Sequence, residues 1–333
     1  MATYVQTVDV GHCAMAGVRQ ALTREVHQGL IARPRSLSPW MFYDREGSRL
    51  FERITTLPGY YPTRTERAIL SRYADAIVAA AAHRDRSLPL RLIELGAGTA
   101  SKTCILLEAA LRISDDVVYM PVDVCPDALE LACQNIASAV PGVRMQPIVQ
   151  NYVSHPLQVE PFDGTTLALY IGTSIGNFSR EEARLILRNL GAQLETGDAL
   201  LLGTDMVKDQ PTLLAAYDDS EGITAAFNLN ILHRLNRELG ANFDAAGFRH
   251  RVLWNSIESR IEMHLESTQG QIVNIADAEL RLHFMRGETI HTENSYKFTD
   301  QGIRTLLSDA GFESRGAWKD SRGWYTVTLA RLH

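Results

Sequence analysis

A strand that ends in a glycine turn limits the fold of this chain more than any other feature of its sequence. Residues 90–95 read L-R-L-I-E-L and are followed at once by Gly96-Ala97-Gly98. A short apolar run stopped by glycine is typical of a buried strand. We expect Ser101 to cap the helix that follows. The segment therefore predicts the first strand and helix of an α/β sheet.

Alternation of strands and helices continues to about residue 206. Further strands are predicted at 117–122, 143–149, 166–171 and 199–204, with helices between them. Ser179 and Glu182 form a capping box for one of these helices, which is expected to reach about Leu194. Elements in this order predict a mostly parallel sheet with helices on both faces.

The pattern changes after Lys208. Helices are predicted near 209–218 and 222–239, followed by strands without intervening helices at 248–255, 258–267, 271–276 and 279–285. Such strands indicate an antiparallel piece. A helix at 300–310 and a hairpin of strands at 312–318 and 324–330 close the chain. We therefore predict two domains, one of residues 63–207 and 301–333 and another of residues 1–62 and 208–300.

Composition and termini narrow the class of partner. The net charge of −6 argues against a nucleic-acid-binding surface, which needs a basic face. The first nine residues lack the basic start of a signal peptide, and no apolar run is long enough to cross a bilayer. The four cysteines lack paired C-x-x-C spacing, which favours reduced thiols in the cytoplasm. We expect a cytoplasmic protein, also a monomer, that binds a small molecule rather than nucleic acid or a membrane.

The glycine turn favours one class of cofactor over two others. A dinucleotide site requires G-x-G-x-x-G, but Ser101 occupies the position of the third glycine. A P-loop also fails, because no second glycine precedes Lys102-Thr103 at the required spacing. Either Glu94 or Asp123 alone would be interpreted as a turn residue at a strand end. Together with the glycines, they favour S-adenosylmethionine, whose ribose hydroxyls could both donate to Asp123.

Unusual segments recur along the rest of the chain. They are 42–54 (FYDREGSRLFERI), 57–66 (LPGYYPTRTE), 176–178 (GNF), 216–219 (AYDD), 225–230 (AAFNLN) and 292–298 (TENSYKF). In this order they resemble the histidine-specific Nα-methyltransferases of ergothioneine biosynthesis, which make hercynine, the trimethylated betaine of histidine. The resemblance runs from about residue 38 to the end. It implies an α/β fold with a Rossmann-like class I methyltransferase sheet, parallel with a terminal antiparallel hairpin, plus a second α+β substrate-binding domain.

The resemblance also implies a cofactor, S-adenosyl-L-methionine, and roles for individual residues. Tyr60 and Asn177 would hold the amine and carboxylate of the substrate, next to the reacting nitrogen, and would be the catalytic residues. Tyr217 would bind the same end, Met263 would line the pocket, and Glu293 and Ser295 would hold the imidazole. The residues implied for the cofactor are Tyr43, Gly96, Lys102, Asp123, Asn151 and Tyr152, to which the glycine turn adds Gly98.

The chemistry of Glu293 and Ser295 agrees with these roles. A carboxylate and a hydroxyl can satisfy both nitrogens of an imidazole. Residues two apart on a strand point to the same side, and a pocket built on such hydrogen bonds rejects rings that lack them. Taken alone, Met263 would be interpreted as a core residue. Asn177 alone would be interpreted as a turn residue. His291 lies close to Glu293 in sequence, but the ten histidines show no metal-ligand spacing, so no metal is predicted.

Two positions depart from the family pattern. The family often carries aspartate where this chain has Asn151, which keeps a carbonyl acceptor for the adenine amino group but loses charge assistance. Asn294 is polar where a small or apolar residue is common.

The predicted reaction converts L-histidine and three S-adenosylmethionine to hercynine. The nearest alternative is an N-methyltransferase of the same fold acting on another amino acid, such as tryptophan or a prenylated tryptophan, for which Glu293 would have little use. A second alternative, a non-catalytic nucleoside-binding regulatory protein, would be expected to have lost the glycine turn or the substrate tyrosines.

Overall fold

A computed structural model describes residues 13–82, 87–153 and 156–333. Residues 1–12 of the predicted second domain, including the segment considered for a signal peptide, lie outside the described residues. The helices are α1 (Cys13–Ile31), α2 (Arg45–Thr56), α3 (Tyr61–Ala81), α4 (Thr103–Leu111), α5 (Pro126–Ala139), α6 (Arg180–Gly191), α7 (Gln210–Ala215), α8 (Ile223–Leu239) and α9 (Asp300–Asp309). The strands are β1 (Arg35–Ser36), β2 (Leu90–Leu95), β3 (Val117–Asp123), β4 (Arg144–Met145), β5 (Ile148–Val149), β6 (Thr165–Tyr170), β7 (Ala199–Asp205), β8 (Phe248–Asn255), β9 (Arg260–Ser267), β10 (Gln271–Ile275), β11 (Leu280–Phe284), β12 (Thr289–Tyr296), β13 (Phe312–Lys319) and β14 (Tyr325–Leu332).

The larger sheet has the strand order β13-β14-β7-β6-β2-β3-β4, with β5 beside β3. Strands β2 to β7 pair in parallel, whereas the hairpin of β13 and β14 is antiparallel and joins at β7. Every residue of β2, β3, β6 and β7 is buried because helices cover both faces. The predicted α/β fold with a terminal antiparallel hairpin is confirmed.

Ser101 does not cap a helix, so that prediction was wrong. Helix α4 begins at Thr103, with Lys102 at its N-cap position and no side-chain cap. The loop is longer than expected because Ala100, like the glycines before it, has a positive φ of 53° and cannot start a helix. The Ser101 hydroxyl instead accepts a hydrogen bond of 3.1 Å from Arg67.

The single strand predicted at 143–149 was also wrong. The structure has two short strands there, β4 and β5, each paired with β3. Pro147 lies between them and has no backbone N–H to donate to a ladder, which interrupts the strand. Helix α6 has the predicted capping box of Ser179 and Glu182, but it ends at Gly191, before the predicted Leu194.

The smaller sheet has the order β1-β12-β9-β8, and β10 and β11 form a separate hairpin. Its strands are antiparallel except for β1, which pairs in parallel with β12. Helix α8 runs from Ile223 to Leu239, and the glycines that flank it, Gly222 and Gly240, are both in the left-handed conformation. The predicted end of this helix at Gly240 is confirmed. Helices α1 and α2 and strand β12 are elements that the sequence patterns did not predict.

The apolar cores follow the two sheets. One cluster joins residues of α1, α2 and α8 with the small sheet, and two others cover the opposite faces of the large sheet. The assignment of 63–207 with 301–333 and of 1–62 with 208–300 to separate domains stays a prediction. Among the helices in the described parts of the chain, none has both the length and the apolar character of a membrane span.

Candidate active site

One cleft lies between the carboxyl ends of the parallel strands and a face of the small sheet. Its empty volume is about 1650 Å³, including the part open to solvent. The predicted site residues that line it are Tyr43, Tyr60, Gly96, Gly98, Lys102, Asp123, Asn151, Tyr152, Asn177, Tyr217, Met263 and Glu293. Ser295 lies behind this lining, against Tyr217. The lining joins the glycine turn of the large sheet to residues of the small sheet.

The glycine turn presents bare backbone to one end of the cleft. Gly96 and Gly98 have φ values of 70° and 52°, which glycine adopts without strain. A Cβ on Gly96 would lie 3.3 Å from the hydroxyl oxygen of Tyr152, whereas a Cβ on Gly98 would project into open space. This bare turn fits the close approach that a nucleoside cofactor makes.

Asp123, at the end of β3, is oriented by the same turn. Its two carboxylate oxygens accept hydrogen bonds from the backbone N–H groups of Gly98 (2.9 Å) and Cys125 (3.0 Å). Burial raises the pKa of this carboxyl, and those backbone hydrogen bonds oppose the shift. Because each carboxylate oxygen can accept further hydrogen bonds, Asp123 can receive two ligand hydroxyls in the cleft.

Glu94 stabilises the glycine turn through buried hydrogen bonds. Its carboxylate accepts hydrogen bonds from Thr103 at the start of α4 (2.7 Å) and from Tyr119 of β3. Burial raises the pKa of Glu94 to about 7 although these hydrogen bonds lower it. The residue thus ties β2, β3 and α4 together at the edge of the cleft.

Aromatic rings surround the cofactor end of the cleft. Tyr152 packs edge-on against Tyr170, with ring centroids 5.9 Å apart. Tyr43 packs in the same way against Phe51 (5.7 Å) and Phe227 (5.8 Å). The side-chain oxygen of Asn151 accepts a hydrogen bond of 3.1 Å from the backbone N–H of Val153, which orders the loop after β5.

Lys102 is fixed by a buried carboxylate that the sequence reasoning missed. Its ammonium forms an ion pair with Glu66 of α3, whose side chain is fully buried. Glu66 also accepts hydrogen bonds from the Tyr325 hydroxyl (2.6 Å) and from the backbone N–H of Gly172 (2.9 Å). These contacts join α3, β14 and the turn after β6 at the position of Lys102.

A bulge in β12 decides which of its side chains face the cleft. The register with β9 shifts between His291 and Glu293. The hydroxyl of Thr292, in the bulge, lies 2.7 Å from the side-chain oxygen of Asn228 and 3.0 Å from the backbone oxygen of Met263. Glu293 pairs with Met263, whereas His291 pairs and stacks with His264 on the other face. His291 is therefore outside the cleft although it is only two residues from Glu293.

Glu293 is a buried carboxylate that accepts no hydrogen bond from a side chain in the described parts of the protein. Burial raises its pKa to about 8, and Lys297 lowers it. Within residues 13–82, 87–153 and 156–333, no side chain donates a hydrogen bond to this carboxylate. It lines the cleft beside Met263, so a ligand carrying an N–H group would supply the missing partner.

Ser295 and Tyr217 form a pair of hydroxyls next to Glu293. Their oxygens are 2.7 Å apart, and Lys297 donates to both, at 2.8 Å to Ser295 and 2.9 Å to Tyr217. Burial, and then the charges of Asp205 and Glu293, raise the pKa of Tyr217 well above its usual value, so the phenol stays protonated.

Tyr60 and Asn177 approach the cleft from the large sheet. Tyr60 precedes α3, and its ring centroid is 6.3 Å from that of Tyr217. Burial, followed by the interactions with Tyr217 and Glu293, raises the Tyr60 pKa well above its usual value, so this phenol also stays a donor. Asn177 ends the 3₁₀ turn Ser174–Asn177 after β6. Both residues line the cleft as uncharged polar groups.

Gly176 allows the Asn177 turn to approach β12 closely. A Cβ at this position would lie 2.9 Å from the backbone oxygen of Tyr296 and 3.8 Å from the hydroxyl oxygen of Ser295. The turn and the strand must therefore separate if any side chain is introduced here. The glycine of the predicted motif Gly176-Asn177-Phe178 therefore allows the turn to pack against β12.

Replacing Gly176 with alanine is expected to lower kcat/KM for the amino-acid substrate by roughly 10- to 100-fold, because the Cβ would push Asn177 away from Glu293 and Ser295. The cofactor affinity should change little, since the glycine turn is not touched. Gly270→Ala is the matched control, because a Cβ there meets only the Phe284 oxygen at 3.8 Å. Equal kinetics for both variants would contradict this account of the turn.

A group of possible metal ligands lies on the other face of the small sheet. Atoms of Glu262, His264 and His291 lie within 4.8 Å of one another. Glu262 already accepts hydrogen bonds from Asn255 and Arg260, which lower its pKa to about 2 although burial opposes them. The two imidazole rings stack at 4.7 Å with planes 23° apart, so their in-plane lone pairs do not converge on one point. We assign no metal to this group.

Three charged residues that sequence reasoning missed lie one layer behind the cleft. Lys297, Asp205 and Glu66 hold residues of the lining through buried ion pairs. A signal for Lys297 was present, because it continues the alternation of Glu293 and Ser295 along the same segment. For Asp205 and Glu66 no spacing pattern in the chain pointed to the cleft.

Comparison with known proteins agrees with the geometry. The model of a family described as histidine-specific methyltransferases, SAM-dependent, matches residues 22–332. The histidine N-alpha-methyltransferase of Mycolicibacterium smegmatis is 41% identical over 96% of this chain and 97% of its own length. The protein of that name from Mycobacterium tuberculosis is 39% identical over 97% of this chain and 96% of its own length. An L-tryptophan methyltransferase from Psilocybe serbica is more distant, at 25% identity over 99% of this chain and 98% of its own length.

Proposed function

This chain belongs to the histidine-specific, S-adenosylmethionine-dependent methyltransferase family, and on that premise we propose that it trimethylates the α-amino nitrogen of L-histidine to give hercynine. The observation that carries the choice of substrate is the buried carboxylate of Glu293, which lacks a described side-chain donor and stands beside the Ser295–Tyr217 hydroxyl pair. An imidazole ring supplies both an N–H donor and a bare nitrogen acceptor. An indole ring has one N–H and no such acceptor, so it would leave part of this pocket unpaired.

The residues of the glycine turn fit the cofactor. Gly96 and Gly98 present bare backbone to the cleft, and Asp123 lines it with each oxygen oriented by a backbone N–H group. When bound, S-adenosylmethionine supplies an activated methyl group on a positively charged sulfur. We assign Asp123 to the ribose hydroxyls and Lys102 to the carboxylate end of the cofactor. Tyr43, Asn151 and Tyr152 would enclose the rest of the nucleoside.

Orientation of the amine is the task of Tyr60 and Asn177. A methyl transfer needs an unprotonated nitrogen in line with the methyl–sulfur bond. Both side chains are uncharged, and Tyr60 stays protonated because burial raises its pKa. Neutral partners can hold the primary, secondary and tertiary amines in turn, so three transfers on one nitrogen are possible. The three protons released would pass to water.

Incubation of the protein with S-adenosylmethionine and each free amino acid separately tests this proposal. Mass gains of one, two and three methyl groups are expected with L-histidine and not with other amino acids. Methylation of tryptophan instead of histidine would overturn the substrate assignment. Binding of S-adenosylhomocysteine without any methylated product would favour a regulatory nucleoside-binding protein.

We further propose that the protein acts as a cytoplasmic monomer, without nucleic acid or a membrane as partner. The net charge of −6 supports the part of this assignment that concerns nucleic acid, because a nucleic-acid-binding surface needs a basic face. Sedimentation of the purified protein at 37 kDa would agree. A dimer mass at assay concentration would contradict it.

A further inference from the structure

A fully buried ammonium lies behind the hydroxyl pair of the substrate pocket. The Lys297 side chain has no exposed surface, and its Nζ lies 2.9 Å from Asp205, 2.9 Å from the Tyr217 oxygen and 2.8 Å from the Ser295 oxygen. A lysine ammonium has three protons and no acceptor. All three are used on these partners, so Lys297 has none to give to a ligand. Lys297 does not line the cleft, so it is a positioning residue and not a catalytic one.

The charge of Lys297 acts on two carboxylates, Asp205 and Glu293. Asp205 is shared by two ammonium groups, since Lys208 also pairs with it at 2.5 Å. Tyr61 donates to the same carboxylate at 2.7 Å but carries no charge. Asp320 also attracts Lys208. Glu293, whose pKa Lys297 lowers, is the carboxylate on the pocket side of Lys297 that balances its charge.

The number of protons on the hydroxyl pair determines how many hydrogen bonds it can donate to a ligand. Ser295 and Tyr217 each have one proton, and each already accepts from Lys297. One of these protons lies between the two oxygens, 2.7 Å apart. The pair therefore has one proton left for the substrate. We take Tyr217 as the donor within the pair, because a phenol is the stronger acid of the two, and this leaves the proton of Ser295 for the substrate.

We propose that Lys297 makes this pocket select the uncharged imidazole ring, by turning Ser295 into a hydrogen-bond donor and by balancing the charge of Glu293. The ring N–H donates to Glu293 and its bare nitrogen accepts from Ser295. A protonated ring would need Ser295 to accept a third hydrogen bond, and it would bring a second positive charge close to Lys297. This inference rests on the proposed histidine substrate.

The phenols and the imidazole nearest to Glu293 keep one charge state across the pH range of interest. Burial raises the pKa values of Tyr43, Tyr60 and Tyr217 well above their usual values, and burial lowers that of His291. The charged and titratable groups that line the cleft or the adjoining cavity with Glu293, or lie behind them, are Tyr43, Glu52, Tyr60, Glu94, Lys102, Asp123, Tyr152, Tyr217, Lys297, Glu25, Glu182 and His291. Glu94, whose pKa is about 7, is bonded to Thr103 and Tyr119 at the glycine turn. The titration of the substrate ring and of Glu293 should therefore dominate hercynine binding near neutral pH.

Binding of hercynine between pH 5.5 and 9 tests the inference in the unmodified protein. Its α-nitrogen carries a fixed charge, so only the imidazole ring of this ligand titrates in that range. If the ring binds uncharged to ionised Glu293, affinity should rise about tenfold per pH unit between the ring pKa, near 6.5, and the pKa of Glu293, about 8. A plateau over that interval followed by a fall above pH 8 would mean that the complex holds one more proton, on the ring or on Glu293, and would overturn the inference.

Lys297→Met is the matching variant, and Lys208→Met is its control. The first removes the one ammonium that donates to both hydroxyls. The second removes the other ammonium on Asp205, which makes no hydrogen bond to Ser295 or Tyr217. Lys297→Met should weaken hercynine binding at pH 8 by roughly 10- to 100-fold and flatten its pH dependence, because Glu293 then stays protonated. Lys208→Met should weaken it by a smaller factor and keep the slope. S-adenosylhomocysteine binding reports whether each variant is folded.

The possible outcomes separate the two proposals. A protein that methylates histidine but shows the same hercynine profile in Lys297→Met as in the unmodified chain refutes the role of Lys297 alone. An unmodified protein that binds S-adenosylhomocysteine but neither methylates histidine nor binds hercynine refutes the proposed substrate, and this inference with it. If Lys297→Met does not fold, the pH profile of the unmodified protein still decides.

Discussion

Replacing Glu293 with alanine is expected to weaken histidine binding by roughly 30- to 150-fold, which corresponds to the loss of a hydrogen bond to a charged group worth about 2–3 kcal/mol. The ring N–H would lose its acceptor, and Lys297 would lose the carboxylate that balances its charge. Affinity for S-adenosylhomocysteine should stay the same, because Glu293 belongs to β12 of the small sheet and not to the glycine turn. Calorimetric titration with each ligand separately measures both effects.

Glu258→Ala is the control for this variant. Glu258 is exposed in the turn between β8 and β9, and its side chain does not line the cleft. The control should bind both ligands like the unmodified protein. If Glu293→Ala weakens the two ligands equally, the imidazole pocket has been placed wrongly.

Replacing Asp123 with alanine is expected to weaken cofactor binding far more than histidine binding. Loss of two hydrogen bonds from ribose hydroxyls to a carboxylate should cost about 2–4 kcal/mol, which weakens S-adenosylhomocysteine binding by roughly 30- to 1,000-fold. The N–H groups of Gly98 and Cys125 would also lose their acceptor, so the turn should become less ordered. Histidine binding, measured without the cofactor, should change far less.

Asp163→Ala is a suitable control, because this aspartate is exposed in the loop before β6. Thermal unfolding of both variants separates a local loss of affinity from a general loss of stability. Unchanged cofactor affinity in Asp123→Ala, with kcat and KM also unchanged, would show that this carboxylate does not hold the ribose.

The large sheet could be predicted from sequence because its signals are local. Continuous apolar runs such as 90–95 become strands that are buried on both faces, and the glycine turn marks where the first of them ends. The errors have local causes too, at Ala100 and Pro147, whose effects on backbone geometry extend or interrupt an element. They affected the start of α4 and the division into β4 and β5.

The substrate end was harder to predict because long-range pairing determines it. Alternation correctly places Glu293 and Ser295 on one side of a strand, but it cannot show that the bulge at Thr292 turns His291 to the other side. That bulge is held by Asn228 of α8, sixty-four residues away in sequence. The pairing of Lys297 with Asp205 likewise joins segments that are distant in the chain.

The stoichiometry and position of methylation test the central assignment most directly. Histidine labelled with ¹⁵N at the α-nitrogen, supplied with excess S-adenosylmethionine, should yield three S-adenosylhomocysteine for each histidine consumed. All three methyl groups should show coupling to the labelled nitrogen, because Glu293 and Ser295 hold the ring away from Tyr60 and Asn177. Methyl groups on an imidazole nitrogen, or no consumption of histidine by an enzyme that binds the cofactor, would contradict the assignment.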